Sequence, residues 1–190
     1  MLTMSKLICL LFFIVILTSC KKPNNPAPST TTNNNYLFYG QTPSSILSWT
    51  QGVNNAQDLP GIGTGPANNY SSSFLTSFSS PPTMSIKFIL PEISPTQADY
   101  NSFFKPSTIS FDTENTPNSV FFYYVDSTGQ SWGTGLGSQT NSYFTISSVE
   151  SVNGYTLVVA TFQCNLYNSS NGTTSLSLKS GKAQCLIPQY

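Results

Sequence analysis

The chain has 190 residues, of which only 7% are charged; seven lysines balance seven acidic residues, with no arginine and no histidine. A zero balance without arginine argues against nucleic acid, whose phosphates need clustered cations, and against electrostatic docking on anionic lipid. The lack of histidine removes Ser-His-Asp and Cys-His nucleophiles, an imidazole base and histidine-based zinc sites, while an aromatic content of 13% marks a chain able to build a core.

In chain order, the first signal is the apolar run from Leu7 to Leu17. As a helix it covers roughly 16 Å, about half of a ~30 Å bilayer core, so it is too short to span. It suits the apolar region of a signal peptide, with Lys6 as its positive flank. Leu17-Thr18-Ser19-Cys20 follows and resembles the lipobox of bacterial lipoproteins. The resemblance implies cleavage before Cys20, so that 1–19 is a signal peptide, and acylation of the Cys20 thiol and amine with palmitate-like chains. Two or three chains, at ~0.8 kcal/mol per buried methylene, make a stable membrane anchor. The alternative is an ordinary signal peptide with a chance cysteine. Lys21 stands where an aspartate would resemble an inner-membrane retention signal, which favours the outer membrane and leaves the leaflet open.

Residues 20–35 carry three prolines and no aliphatic side chain larger than alanine, and read as a flexible linker with a reach of ~20 Å. The domain is expected over 36–190. "YLFYG" and "SILSWT" are short strand candidates, and 51–73, rich in Gly, Pro, Asn and Ser, reads as a long loop. "MSIKFIL" alternates as a half-buried strand does. "SPTQADYNSFFKP" predicts one short helix, with Ser94 as cap, Pro95 at its first position and Gln97 completing a capping box. Strands then dominate: "STISF", "SVFFYYVD", "SYFTISS", "YTLVVATFQCNLYN", "SLSLKS" and "KAQCLIP", broken by turns at 126–129, 152–154, 169–172 and 180–181. The fold class expected is all-β, an antiparallel β-sandwich of Ig-like or jelly-roll type with one short helix; a β-barrel is the alternative.

From about residue 84 onward, "YNSFFKP", "VFFYYVDSTGQSW", "SYFTISS", "TFQCNLYN" and "SGKAQC" resemble a group of small Bacteroidota lipoproteins of unknown function. The resemblance implies a β-rich lipidated domain and transfers no catalytic residue.

Strand parity turns both Cys164 and Cys185 inward. A disulfide between them is expected, on condition that the last strand pairs directly with 155–167 or crosses to a facing sheet; two buried free thiols are the alternative. "SVFFYYVD" is apolar on both faces. It reads as a central strand with its second face covered by the helix or the N-terminal segment, or as an aromatic platform of Phe121, Tyr123 and Trp132 for a sugar ring or peptide. The seven carboxylates, Asp58, Glu92, Asp99, Asp112, Glu114, Asp126 and Glu150, read as solvated turn residues rather than a facing catalytic pair, and they lack the spacing of an EF-hand. "DST" at 126–128 resembles the acceptor of Bacteroidota O-glycosylation, which makes Ser127 a modification candidate.

No catalytic residue, metal or cofactor is expected. The reading is a lipid-anchored, non-enzymatic envelope module that binds a glycan or a protein. An accessory subunit of an outer-membrane complex is the alternative, and a carboxylate-dependent glycoside hydrolase comes third. A pocket lined by aromatics and amides favours the binding module; a flat apolar face favours the subunit.

Overall fold

The computed structural model describes residues 36–51, 53, 56–64, 68–76, 80–91 and 94–190. The expected signal peptide over 1–19, Cys20, the expected linker over 20–35 and Glu92 lie outside the described residues. Strands β1 (Tyr36–Gln41), β2 (Ile46–Thr50), β3 (Gln57–Thr64), β4 (Asn68–Leu75) and β5 (Thr83–Ile89) precede helix α1 (Gln97–Phe103). Then come β6 (Ser107–Phe111), β7 (Ser119–Val125), β8 (Ser131–Gly133), β9 (Tyr143–Val152), β10 (Tyr155–Asn168) and β11 (Ser175–Pro188). The protein is all-β with one short helix. Among the described residues no helix is long and apolar enough to cross a membrane.

The strands form one open sheet in the order β2-β1-β11-β10-β9-β6-β7-β5-β4-β3. Every pair along it is antiparallel except β6 with β7, which is parallel. Aromatic contacts between strands far apart in this order show how the sheet folds over. Phe122 of β7 lies 4.8 Å from Phe162 of β10, Phe38 of β1 lies 5.5 Å from Phe74 of β4, and Phe88 of β5 lies 5.7 Å from Phe144 of β9. The half β2-β1-β11-β10-β9 therefore faces the half β7-β5-β4-β3 across a phenylalanine-filled core. Each of these rings is fully buried. Burial stabilises by ~1.5–3 kcal/mol per ring, and edge-on pairing adds ~0.5–1.5 kcal/mol per pair.

One flank of the fold is joined by backbone. β6 bonds β9 on one side and β7 on the other, and β8 bonds both β7 and the far end of β10. The opposite flank ends in β3, which among the described residues is an edge strand paired to β4 alone. β3 and β4 fall in the stretch expected to be a loop. Pro60, Gly61 and Gly63 hide β3 from a propensity reading, yet a proline is tolerated on an edge strand. β4 keeps a core pattern in Tyr70, Ser72 and Phe74, all buried.

The turn expected at 180–181 is also corrected. "SLSLKSGKAQCLIP" is one strand, and its pairing with β10 shifts between Phe162 and Cys164 at a bulge where Ser180 has φ 51°. Gly181 lies opposite Phe162, and a Cβ there would sit 2.3 Å from the ring. Glycine is what lets Phe162 lie over the backbone.

This register decides the cysteines. Both are buried and free, so the expected disulfide is wrong. The last strand does pair directly with 155–167, but Cys185 lies opposite Val158 and Cys164 opposite Leu178. Val158 and Cys164 are six positions apart, ~20 Å at ~3.4 Å per residue, against a bridgeable Cα separation of ~7 Å at most.

Helix α1 starts two residues later than expected. Thr96 is its cap, because Asp99 closes the capping box: its carboxylate accepts from the Thr96 N–H at 2.8 Å and its N–H donates to Thr96 Oγ1 at 3.3 Å. The buried face of Tyr100 and Phe103, with Phe104 just beyond, packs on Tyr70 and Phe88 at one end of the core. The Tyr100 hydroxyl donates to the Pro188 carbonyl at 3.0 Å and lies 2.8 Å from Thr156 Oγ1.

Replacing Gly181 with Ala is expected to destabilise the fold by about 1–3 kcal/mol through forced displacement of the Phe162 ring, read as a lower urea midpoint at unchanged m-value.

Candidate binding groove at the sheet seam

At the open flank β11 runs past β1, whose recorded register partners reach Ala183. Leu186 lies beyond that point, and its N–H would face solvent on that edge. Asp58 of β3 takes it: Oδ2 accepts from the Leu186 N–H at 2.7 Å, while Oδ1 accepts from the Ser72 hydroxyl of β4. A carboxylate thus does across the seam what a strand ladder does elsewhere in the sheet. Asp58 can reach because Ser72, fully buried between Tyr70 and Phe74, is small enough to leave room and supplies a donor.

Outside the seam is a groove of about 550 Å³. Leu37, Leu157 and Leu186 form its apolar floor from β1, β10 and β11, with Val152 at the β9–β10 turn. Gln51, Gln57, Asn153 and Gln184 place four amides around it, and Asp58 is the carboxylate that lines it. The Asn153–Gly154 turn that shapes one wall has φ of 50° and 82°, the two positive values a tight hairpin of this type needs.

Partial burial pushes the Asp58 carboxyl up to about 6, against the lowering effect of its bonds from Ser72 and Leu186. Burial, then the nearby Asp58 charge, push the Cys185 thiol well up, with a Ser72 hydrogen bond opposing. Burial alone raises Cys164. Neither thiol is poised as a nucleophile. Among the described residues the recorded ion pair is Lys87 with Glu114, 3.0 Å apart and away from this groove, so Asp58 has no described cation partner.

The other candidates are dispersed. Phe121 and Tyr123 share the outer face of β7, whereas Trp132 stands opposite the buried Tyr124 and so lies on the inner face. The three do not form one platform. Among the described residues Phe121 lies against the chain at Gly133 and Gly135, with the Lys87 ammonium 5.9 Å from its ring centre. Tyr123 is 38% exposed and its hydroxyl donates to Ser131 Oγ at 2.9 Å. Ser127 is exposed in the Asp126–Gly129 turn. Asp126 organises that turn: Oδ1 accepts from the Thr128 and Gln130 N–H groups and Oδ2 from Trp132 Nε1. Slight desolvation is outweighed by these bonds, and its carboxyl stays below the usual range.

Of the acidic residues expected to be solvated turn groups, Asp58 is therefore misread. Its segment looks like a loop, and the available signal was the Tyr70-Ser72-Phe74 alternation of the neighbouring strand, with one small polar residue between two rings. Among the described residues no cluster of three potential metal ligands occurs. Compared with known protein families, curated proteins and solved structures, the chain finds no match.

Because the folded-state pKa of Asp58 lies above its unfolded value of 3.8, the proton favours the folded state. That stabilisation is complete below pH ~4 and is lost as pH rises through ~6, a fall of at most about 3 kcal/mol at ~1.4 kcal/mol per unit. Asp58→Asn keeps an acceptor for Leu186 and a donor for Ser72, and urea unfolding across pH 4–7.5 is expected to show the slope in the wild type reduced in the variant. Cys164 and Cys185 are expected to resist maleimide in the native protein and to label fully after unfolding, as read by peptide mass.

Proposed function

We propose that this chain is a lipid-anchored, non-enzymatic module of the cell envelope, held in the outer membrane through Cys20, which binds its ligand in the groove along β11. The observation that carries this reading is the groove itself. Its volume of about 550 Å³ lies within the ~300–1,000 Å³ of typical small-ligand sites, and its apolar floor with a few convergent polar groups is the usual composition of such sites. The amides favour a binding module over an accessory subunit, since each offers a donor and an acceptor to a polar ligand. The exposed large hydrophobic residues among those described support the same choice, being distributed over β2, β3, β7, β9 and β10, two connections between strands and Tyr190 at the C-terminal end. The single carboxylate in the groove supports a role in binding rather than hydrolysis, which needs two acids facing one another. Ser127, exposed at its turn, is the proposed site of O-glycosylation.

Two measurements test this. Intact mass of protein extracted from membranes is expected to give a chain that begins at Cys20 and carries acyl groups, with any hexose addition lost in Ser127→Ala; an unlipidated full-length chain overturns the anchoring. Titration of the 15N-labelled protein with cellobiose and with a capped neutral peptide, Nα-acetyl-norleucine N-methylamide, is expected to shift the amides of Leu157, Gln184 and Leu186 with at least one probe. Shifts confined to Ser85 and Tyr123 would move the site to the outer face of β7.

A further inference from the structure

Asp58 presents a puzzle that its structural role does not solve. Its two hydrogen bonds close the seam, but an asparagine could make both, accepting from Leu186 and donating to Ser72 without bringing a charge into a half-buried place. A negative charge out of water is costly unless a cation or several donors compensate it, and no described residue supplies the cation. The carboxylate borders the groove rather than a closed core, so its missing counter-charge can arrive from solution. Resting on the reading of the groove as the ligand site, we infer that Asp58 is the recognition point for an alkylammonium group, and that the ligand is a peptide carrying a lysine-type side chain.

The rest of the groove fits that ligand. Each Asp58 oxygen accepts one recorded bond and retains a second acceptor position, which an ammonium donor can use. Leu37, Leu157 and Leu186 offer a floor for the methylene stem, which prefers apolar contact while its charged head is held. Gln57 and Gln184 can each bond an N–H and a C=O of an extended backbone. Of the groups packed around Asp58, Ser72 from β4 is uncharged, and from β11 the titratable neighbour is Cys185, neutral in this setting; the remaining groove residues carry no charge. Nothing in that set competes with an incoming cation.

The test compares Nα-acetyl-lysine N-methylamide with its isosteric norleucine analogue on the full protein, by NMR titration read at the Leu186 amide. At pH 7.5 the lysine probe is expected to bind at least tenfold more tightly, to lower the titration midpoint of Asp58 by about one unit when saturating, and to lose its advantage at pH 4.5. In Asp58→Asn both probes are expected to bind equally. If that variant does not fold, the pH dependence in the wild type carries the same decision. Equal binding of the two probes at pH 7.5, or a lysine preference that persists at pH 4.5, overturns the assignment to Asp58 while leaving the groove as a binding site. Failure of both probes to perturb any groove amide overturns the inference together with the groove reading on which it rests.

Discussion

The structure depends on the contact of Phe122 with the opposing half of the sheet. Its ring meets Phe162, Phe144, Phe111 and Phe38 within 4.8–6.2 Å, so one side chain of β7 touches β10, β9, β6 and β1. A sheet this long could stay open or curl at another strand. The register that brings Phe122 under Phe162 fixes the fold line at β6, where the chain changes from antiparallel to parallel pairing. Once the halves are pressed together there, the flank containing β6 and β8 is bonded through backbone on both sides. The other flank is left with two strand edges that face each other without forming a ladder.

That asymmetry explains the placement of polarity. Buried backbone donors are satisfied almost without exception, and an unpaired Leu186 N–H at a half-buried edge costs roughly 1–3 kcal/mol. Among the described residues β3 and β11 exchange no ladder, and a side chain on β3 supplies the acceptor instead, through the Leu186 N–H bond to Asp58 Oδ2. The groove lies along the same flank, lined by residues of β1, β3, β10 and β11. Fold and candidate site therefore meet at the one flank that no ladder closes.

Much of this was legible in the sequence, and the failures have identifiable causes. Alternation marks β5 and β10, since each keeps one face apolar along its length, whereas β7 shows as a run apolar on both faces. Parity correctly turned Cys164 and Cys185 inward, but parity carries no register, and register is what separates them by six positions. A Ser-Gly pair inside "SLSLKSGKAQCLIP" looks identical whether it makes a turn or a bulge; the need of Phe162 for a residue without a Cβ decides it, and that need lies on another strand. β3 was hidden because edge strands tolerate the proline and glycines that central strands exclude. Asp58 was lost with it. Aromatic character groups Trp132 with Phe121 and Tyr123, whereas its face depends on the pairing of β8, three residues too short to show a period.

Because Asp58 both closes the seam and borders the groove, the two roles cannot be energetically independent. A proton and an ammonium ion are alternative ways of compensating the same carboxylate. Where the carboxyl is already protonated, a cationic ligand gains little from it; above pH ~6, where the folded protein carries an uncompensated charge, the ligand would recover stabilisation that the proton no longer supplies. By reciprocity, whatever the ligand adds to the stability of the seam in that range appears equally as affinity. An asparagine at this position would close the seam at any pH and make the fold more uniform, but it would remove the charge on which the proposed recognition depends. Retaining the acid gives the flank its lowest intrinsic stability near neutral pH, the condition under which an incoming cation has most to contribute.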